Sequence, residues 1–252
     1  MPGLVVTYLG GPTVLLEYGG LTILTDPTFD EPGSYPDPGS TTLVKTRGPA
    51  VAVTALPPVH LVLLSHHEHE DNLDHAGAEL VRSGIPTLTT PYAAAGLDLP
   101  SVRGLEPWEA ATARAITVTA VPARHGPVGS EDWMGPVTGF VLAAPGEPTV
   151  YVSGDNAALD LVREIAARFR IDIAVLFAGA ARVSAIEGPL TLTSRDAAEA
   201  ADILGASRVI GVHVEDWEHF SEGRADLEAA FDAAGIGDVL VATPRGIPVA
   251  ID

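Results

Sequence analysis

The chain has 252 residues, 46% of them hydrophobic, enough to build a large core, and its apolar runs are strand-length and broken by Gly and Pro, which argues against a membrane span. The formal net charge of −19, from 33 acidic against 14 basic residues, repels polyphosphate backbones and argues against nucleic acid as a partner. There is no cysteine, so disulfides, thiolate metal sites and cysteine nucleophiles are excluded, and any metal is held by His, Asp, Glu or Asn.

The amino-terminal Met1–Val6 carries no basic region and runs directly into a strand pattern, so no signal peptide is expected and the default location is cytoplasmic. Leu4–Leu9, Thr13–Tyr18 and Leu21–Thr25 read as three short strands punctuated by Gly10-Gly11-Pro12 and Gly19-Gly20. The third ends at Asp26-Pro27, where a carboxylate can orient a ligating histidine or simply cap a turn. Phe29–Pro58, rich in Pro, Gly, Ser and Thr (Asp37-Pro38-Gly39 among them), reads as a long loop overhanging a site. Leu61–Leu64 is a buried-type strand that breaks into Ser65-His66-His67-Glu68-His69-Glu70-Asp71-Asn72. A helix follows at His75–Ser83, then a strand at Ile85–Thr89 and a helical turn at Tyr92–Leu97.

In the second half, Ile116–Val121 alternates as a strand and runs into Pro122-Ala123-Arg124-His125. Gly139–Ala143 and Thr149–Val152 are further strands, the latter ending at Ser153-Gly154-Asp155. Val162, Ile165, Ala166 and Phe169 mark an amphipathic helix, and Ile173–Phe177 a buried strand. Thr193 and Asp196 have capping-box spacing at the head of a helix that Gly205 stops. Val209–Val212 leads to His213, Arg224–Ala234 is the last helix, and Val239–Ala242 and Ile247–Ile251 close the chain as strands. No linker divides the sequence, so one domain over residues 1–252 is expected.

Ligand-type residues thus recur at four strand ends: His67, His69 and Asp71, then His125, then Asp155, then His213. A lone histidine is more often structural, but recurrence at four strand ends points to one shared metal site. Two-residue spacing in an extended segment sends His67 and His69 to the same side, which favours that pair; the other register uses His66 with His69 and displaces His67. Glu68 and Glu70 are expected to face solvent, Arg124 the surface, and His60 and His75 to be structural. Trp133, Met134, Trp217 and His219 either line a pocket or pack on the core, with His219 a proton donor or substrate ligand in the first case.

The order His-x-His-x-Asp, His, Asp, His, together with Leu24-Thr25-Asp26-Pro27, Pro122-Ala123-Arg124-His125, Asp132-Trp133 and Ser153-Gly154-Asp155, resembles the metallo-β-lactamase superfamily along essentially the whole chain. Within it the chain most resembles the branch near ascorbate-6-phosphate lactonases and N-acyl phosphatidylethanolamine phospholipases D. The resemblance implies an α+β fold, a four-layer αββα sandwich with the site at the seam between its sheets. It also implies Zn2+ or Mn2+, one or two per chain, with His67, His69 and His125 on the first metal, Asp155 bridging, and Asp71 and His213 on the second. The family usually has a histidine where this chain has Asn72, whose neutral carbonyl oxygen is a weaker ligand, so the second site should be weakened, tilted toward Mn2+, or empty. A divalent metal lowers the pKa of bound water and polarises a scissile oxygen, with Asp71 as general base. The function implied is hydrolysis of an ester, lactone, amide or phosphodiester bond of a small molecule. The alternatives are an iron-dependent oxidoreductase and a degenerate metal-binding protein without turnover. Specificity would lie in the loops at 28–58, 126–138 and 180–192.

Overall fold

The computed structural model describes residues 3–36 and 41–251; the Asp37-Pro38-Gly39 part of the expected loop lies outside them. Two mixed sheets face each other. The first half contributes β1 (Leu4–Gly10), β2 (Thr13–Tyr18), β3 (Leu21–Thr25), a short hairpin of β4 (Gly33–Tyr35) and β5 (Leu43–Lys45), β6 (Leu61–Leu63), α1 (His75–Arg82), β7 (Thr87–Thr89), α2 (Pro91–Leu97) and β8 (Val102–Gly104). The second contributes β9 (Ala110–Ala113), β10 (Ile116–Pro122), α3 (Glu131–Met134), β11 (Thr138–Ala143), β12 (Val150–Val152), α4 (Leu159–Arg168), β13 (Ile173–Phe177), α5 (Ser194–Leu204), β14 (Arg208–Val212), α6 (Arg224–Ala233) and β15 (Pro248–Ile251). One sheet has seven strands in the order β15-β1-β2-β3-β6-β7-β8, the other six in the order β14-β13-β12-β11-β10-β9.

Alternation along the strands decides the layering. Leu4, Val6, Tyr8, Leu16, Ile23 and Leu63 of the first sheet share a core with Val118, Phe140, Leu142, Val152, Phe177 and Ile210 of the second. The opposite face of the six-stranded sheet, with Val121, Val141, Ala174 and Val209, packs on Val162 and Ile165 of α4, Ala197 and Ala201 of α5, and Phe231 of α6. The outer face of the other sheet, with Leu15, Leu24 and Val62, packs on Val81 of α1. The result is the four-layer αββα sandwich. The Thr193/Asp196 capping box forms, and Gly205 ends α5 at φ 61°.

Each sheet begins antiparallel and turns parallel partway across: β2–β3 is antiparallel and β3–β6 parallel, β11–β12 antiparallel and β12–β13 parallel. The carboxyl ends of β3, β6, β10, β12 and β14 open on the same seam. Gly154, at φ 55°, brings the two sheets together there: an added Cβ would sit 2.8 Å from Ser65 Cβ, and Thr138 N donates to Ser65 O at 3.1 Å. A side chain would force the strand ends apart.

Two sequence expectations are corrected. Val239–Ala242 is not a strand: a 3-10 turn covers Gly237–Val239 and only a single bridge, Val209 to Leu240, reaches β14. Pro244, two residues on, has no N–H to extend a ladder. The 28–58 loop is less irregular than its composition suggests, because it holds β4 and β5. Thr46 N donates to Asp216 O and Glu218 N to Val44 O, tying the hairpin to the segment after β14. Lys45, the one lysine of the chain, reaches Asp74 at 2.9 Å with side chains 3% and 0% exposed. Asp74 also caps α1 through Gly77 N and accepts from Asp30 N.

Removing one partner of such a buried pair leaves an uncompensated charge. Lys45→Met is therefore expected to cost about 3 kcal/mol or more, read as a fall in the urea midpoint at constant slope; a loss below about 1 kcal/mol would assign the pair no stabilising role.

Candidate metal centre

Four strand ends deliver the chemistry. The segment after β6 supplies His66, His69 and Asp71; β10 leads to His125, β12 to Asp155 and β14 to His213. These form two triads, His66/His69/His125 and Asp71/Asp155/His213, each with its donor atoms within 4.8 Å of one another. In the first, His66 Nε2 and His69 Nδ1 are 2.9 Å apart and the His125 ring centroid is 5.2 Å from both others. In the second, His213 Nε2 lies 3.3 Å from Asp71 Oδ2 and 3.5 Å from Asp155 Oδ1. Asp155 joins the triads, since its Oδ2 is 3.3 Å from His125 Nε2.

The outer partners fix which ring nitrogen faces inward. Ser65 Oγ donates to Asp26 Oδ1 at 2.8 Å, so it accepts from His66 Nδ1 at 2.9 Å, and His66 Nε2 keeps its lone pair for the site. Asp26 is thus the orienting carboxylate, acting through Ser65. His125 Nδ1 donates to Leu190 O at 2.8 Å, which leaves Nε2 free in the same sense. Asp26 (φ 29°) and His213 (φ 57°) hold left-handed backbone conformations at the ends of their strands, the kind of strain that gathers at functional sites.

In the structure the cluster takes the second register, His66 with His69. Two-residue alternation requires an extended strand, but β6 stops at Leu63, and the segment beyond it turns, with Asn72 N and Leu73 N both donating to His69 O. In that turn a three-residue spacing brings His66 and His69 together. His67 leaves the cluster: its Nδ1 is 3.0 Å from Glu68 Oε2, and its ring packs edge-on to Tyr92, 5.9 Å away, and against Gly96. Glu68 and Glu70 face the cavity rather than open solvent. Arg124 pairs with Asp160 at the surface, His60 Nδ1 accepts from Thr22 N, and His75 lies beside Asp30.

Asn72 is buried and donates from Nδ2 to Asp155 Oδ1 at 3.2 Å, while its Oδ1 has no hydrogen-bond partner. His219 also joins: its Nε2 is 3.0 Å from Asp71 Oδ2. The sequence left His219 balanced between site and core, because only the fold shows that the β14 segment doubles back over Asp71.

Burial, then the neighbouring rings of His69 and His125, pushes His66 down to about 3, so it stays a neutral donor; burial and His125 lower His69 in the same direction. Burial alone would raise Asp71 and Asp155, but His219 and His213 hold Asp71 well below the usual carboxylate range, and His213 and His125 do the same for Asp155. His213 answers them: burial opposes its charge, yet Asp155 and Asp71 push it up to about 10. The donor set fits a divalent cation. Asp155 Oδ2 and both ring nitrogens of His213 are buried without a hydrogen-bond partner, although they lie near opposite groups, an arrangement suited to donors converging on an ion.

Above the triads lies a cavity of about 370 Å³, with Leu43 on one side, Trp133 and Met134 on another, and Val183, Ile186 and Leu190 on a third. All three loops singled out in the sequence contribute.

Residues 22–214 match the family described as Beta-lactamase superfamily domain, and the chain belongs to that family. Among curated relatives it is 25% identical over 259 residues to a UPF0173 metal-dependent hydrolase of Pyrobaculum aerophilum, covering 96% of this chain and 98% of that one. Its fold is similar to that of an isothiocyanate hydrolase from Delia radicum gut bacteria, at TM-score 0.86 and 24% identity over 98% of each chain. It is also similar to the diiron β-hydroxylase CmlA of Streptomyces venezuelae, at TM-score 0.73 and 15% identity, over 100% of this chain and 55% of that one. These matches support the superfamily and do not single out the lactonase or phospholipase D branch.

His66→Ala and His67→Ala separate the two registers. Elemental analysis should show metal affinity in the first falling by more than the roughly 10- to 100-fold that losing an outer hydrogen-bond partner costs, with the second unchanged. The reverse result would restore His67 to the site.

Proposed function

We propose that the chain is a metal-dependent hydrolase that cleaves an ester, lactone, amide or phosphodiester bond of a small molecule held in the cavity over the two triads. The observation that carries this reading is the convergence of four imidazoles and two carboxylates on one seam, with Asp155 shared between the triads. His66, His69 and His125 would hold one ion, Asp71 and His213 a second, and Asp155 both. Three imidazoles suit zinc; the oxygen-richer second triad, with Asn72 where the family usually has an imidazole, suits manganese. Bound there, a divalent ion supplies an acidified water and polarises the scissile group.

The protein side chains do the rest. Asp71, kept ionised by His219 and His213, takes the proton of the attacking water through Oδ2. His219, hydrogen-bonded to that oxygen and lining the cavity, passes a proton to the leaving group. The Asp26–Ser65 pair and Leu190 O keep the rings from rotating away. No helix of the described residues is long and apolar enough to cross a membrane. A single domain over 1–252 is supported by the core that both sheets share, and the cytoplasmic location rests on the sequence argument.

Chelation should abolish turnover of a panel of activated esters, lactones and phosphodiesters, and zinc or manganese should restore it. Asp71→Asn should lower kcat by about 10²- to 10⁴-fold with KM nearly unchanged, the range for loss of a general base. Undiminished turnover after complete metal removal would overturn the reading. Iron content with oxygen consumption would replace it with the oxidoreductase.

A further inference from the structure

We propose that the substrate is a neutral molecule carrying an apolar arm, and that the site excludes phosphate esters, phosphodiesters and carboxylate-tailed compounds. The inference rests on the hydrolase reading above and narrows it.

Among the described residues no Lys or Arg lines the cavity. Binding of an anionic group in an enzyme pocket ordinarily uses an Arg fork, a Lys ammonium or a helix amino terminus. The cations closest in sequence to the cavity walls are otherwise engaged. Lys45 is buried on Asp74, Arg124 is paired with Asp160, and Arg182, exposed at the surface, donates from Nε to Ser221 Oγ at 3.3 Å. Asp37-Pro38-Gly39-Ser40, which lie outside the described residues, contain no Lys or Arg in sequence.

The charges that are present have the wrong sign for an anion. Glu68 and Glu70 stand on the wall beside Asp71. Two divalent ions held by the triads would bring four positive charges, which Asp71, Asp155, Glu68 and Glu70 would together offset. An anionic tail therefore finds no net attraction and two nearby carboxylates, in a protein whose net charge is −19.

Apart from Thr41, the remaining wall is apolar. Met134 and Leu190 are buried at its floor, and Val183 and Ile186 continue it. At the mouth the Trp133 indole is 74% exposed. An exposed large aromatic bordering an apolar cleft is a binding feature more than a packing one. At about 370 Å³ the cleft suits a small acyl chain.

The test pairs substrates of one skeleton. p-Nitrophenyl hexanoate, the mono-p-nitrophenyl ester of adipic acid and bis(p-nitrophenyl) phosphate are assayed on the zinc-loaded protein. In parallel, N-butyl hexanamide and its terminal carboxylate analogue are compared by equilibrium dialysis. The expected result is a kcat/KM at least about 100-fold higher for the hexanoate than for either anion, and retention of the neutral amide alone. Ile186→Arg should raise kcat/KM on the adipate ester by about tenfold with metal content unchanged. Retention of the neutral amide with no turnover of any ester would leave the inference standing and sink the hydrolase reading. Equal or better use of the anions, or no discrimination in dialysis, would overturn the inference.

Discussion

Two carboxylates, Asp71 and Asp155, are buried to 4% and 1% exposure at the seam between the sheets, and their charge has to be met by whatever the strand ends supply. His213 lies within 3.5 Å of both, His219 bonds one, and Asn72 and His125 approach the other. An ionised carboxylate in so dry a place is tolerated only with opposite charge close by, and here that charge comes from several elements at once. The site is therefore less a decoration on the fold than a condition on it: the strands must end where their side chains can answer those two oxyanion groups.

The topology meets that condition. Each sheet turns from antiparallel to parallel pairing partway across, so successive strands deliver their carboxyl ends to one side, where open α/β sheets place their ligands. Gly154 lets the sheets close together, and Thr138 stitches them at Ser65. The β4–β5 hairpin, pinned by Lys45 and the segment after β14, then forms one wall of the cleft and keeps Leu43 facing the triads. Packing, capping and chemistry meet in the same few residues: Asp74 caps α1 and anchors Lys45, while Ser65 serves both the sheet seam and His66.

Much of this was legible in the sequence. Strand-length apolar runs ending in His or Asp located His69, Asp71, His125, Asp155 and His213, and Gly and Pro placed most boundaries. Alternation favours His67, but it is a property of extended backbone, and the strand ends at Leu63, before the first histidine. The same turn brings Glu68 and Glu70 to the cavity, where alternation would send them to solvent. His219 stayed ambiguous since its partner, Asp71, is 148 residues away in sequence and is reached only when the last segment folds over. The Ser65 link between Asp26 and His66 is likewise a contact between strands, which a pattern along one strand does not contain.

On the proposed reading, the seam would hold two ions with Asp155 shared between the triads. Anomalous diffraction above and below the zinc and manganese edges, from crystals of protein purified without a histidine tag or chelator, tests it directly. Two peaks are expected, one among His66, His69 and His125 and one among Asp71, Asp155 and His213, with Asp155 touching both. A peak at His67, or none at the seam after reconstitution with either metal, would contradict it.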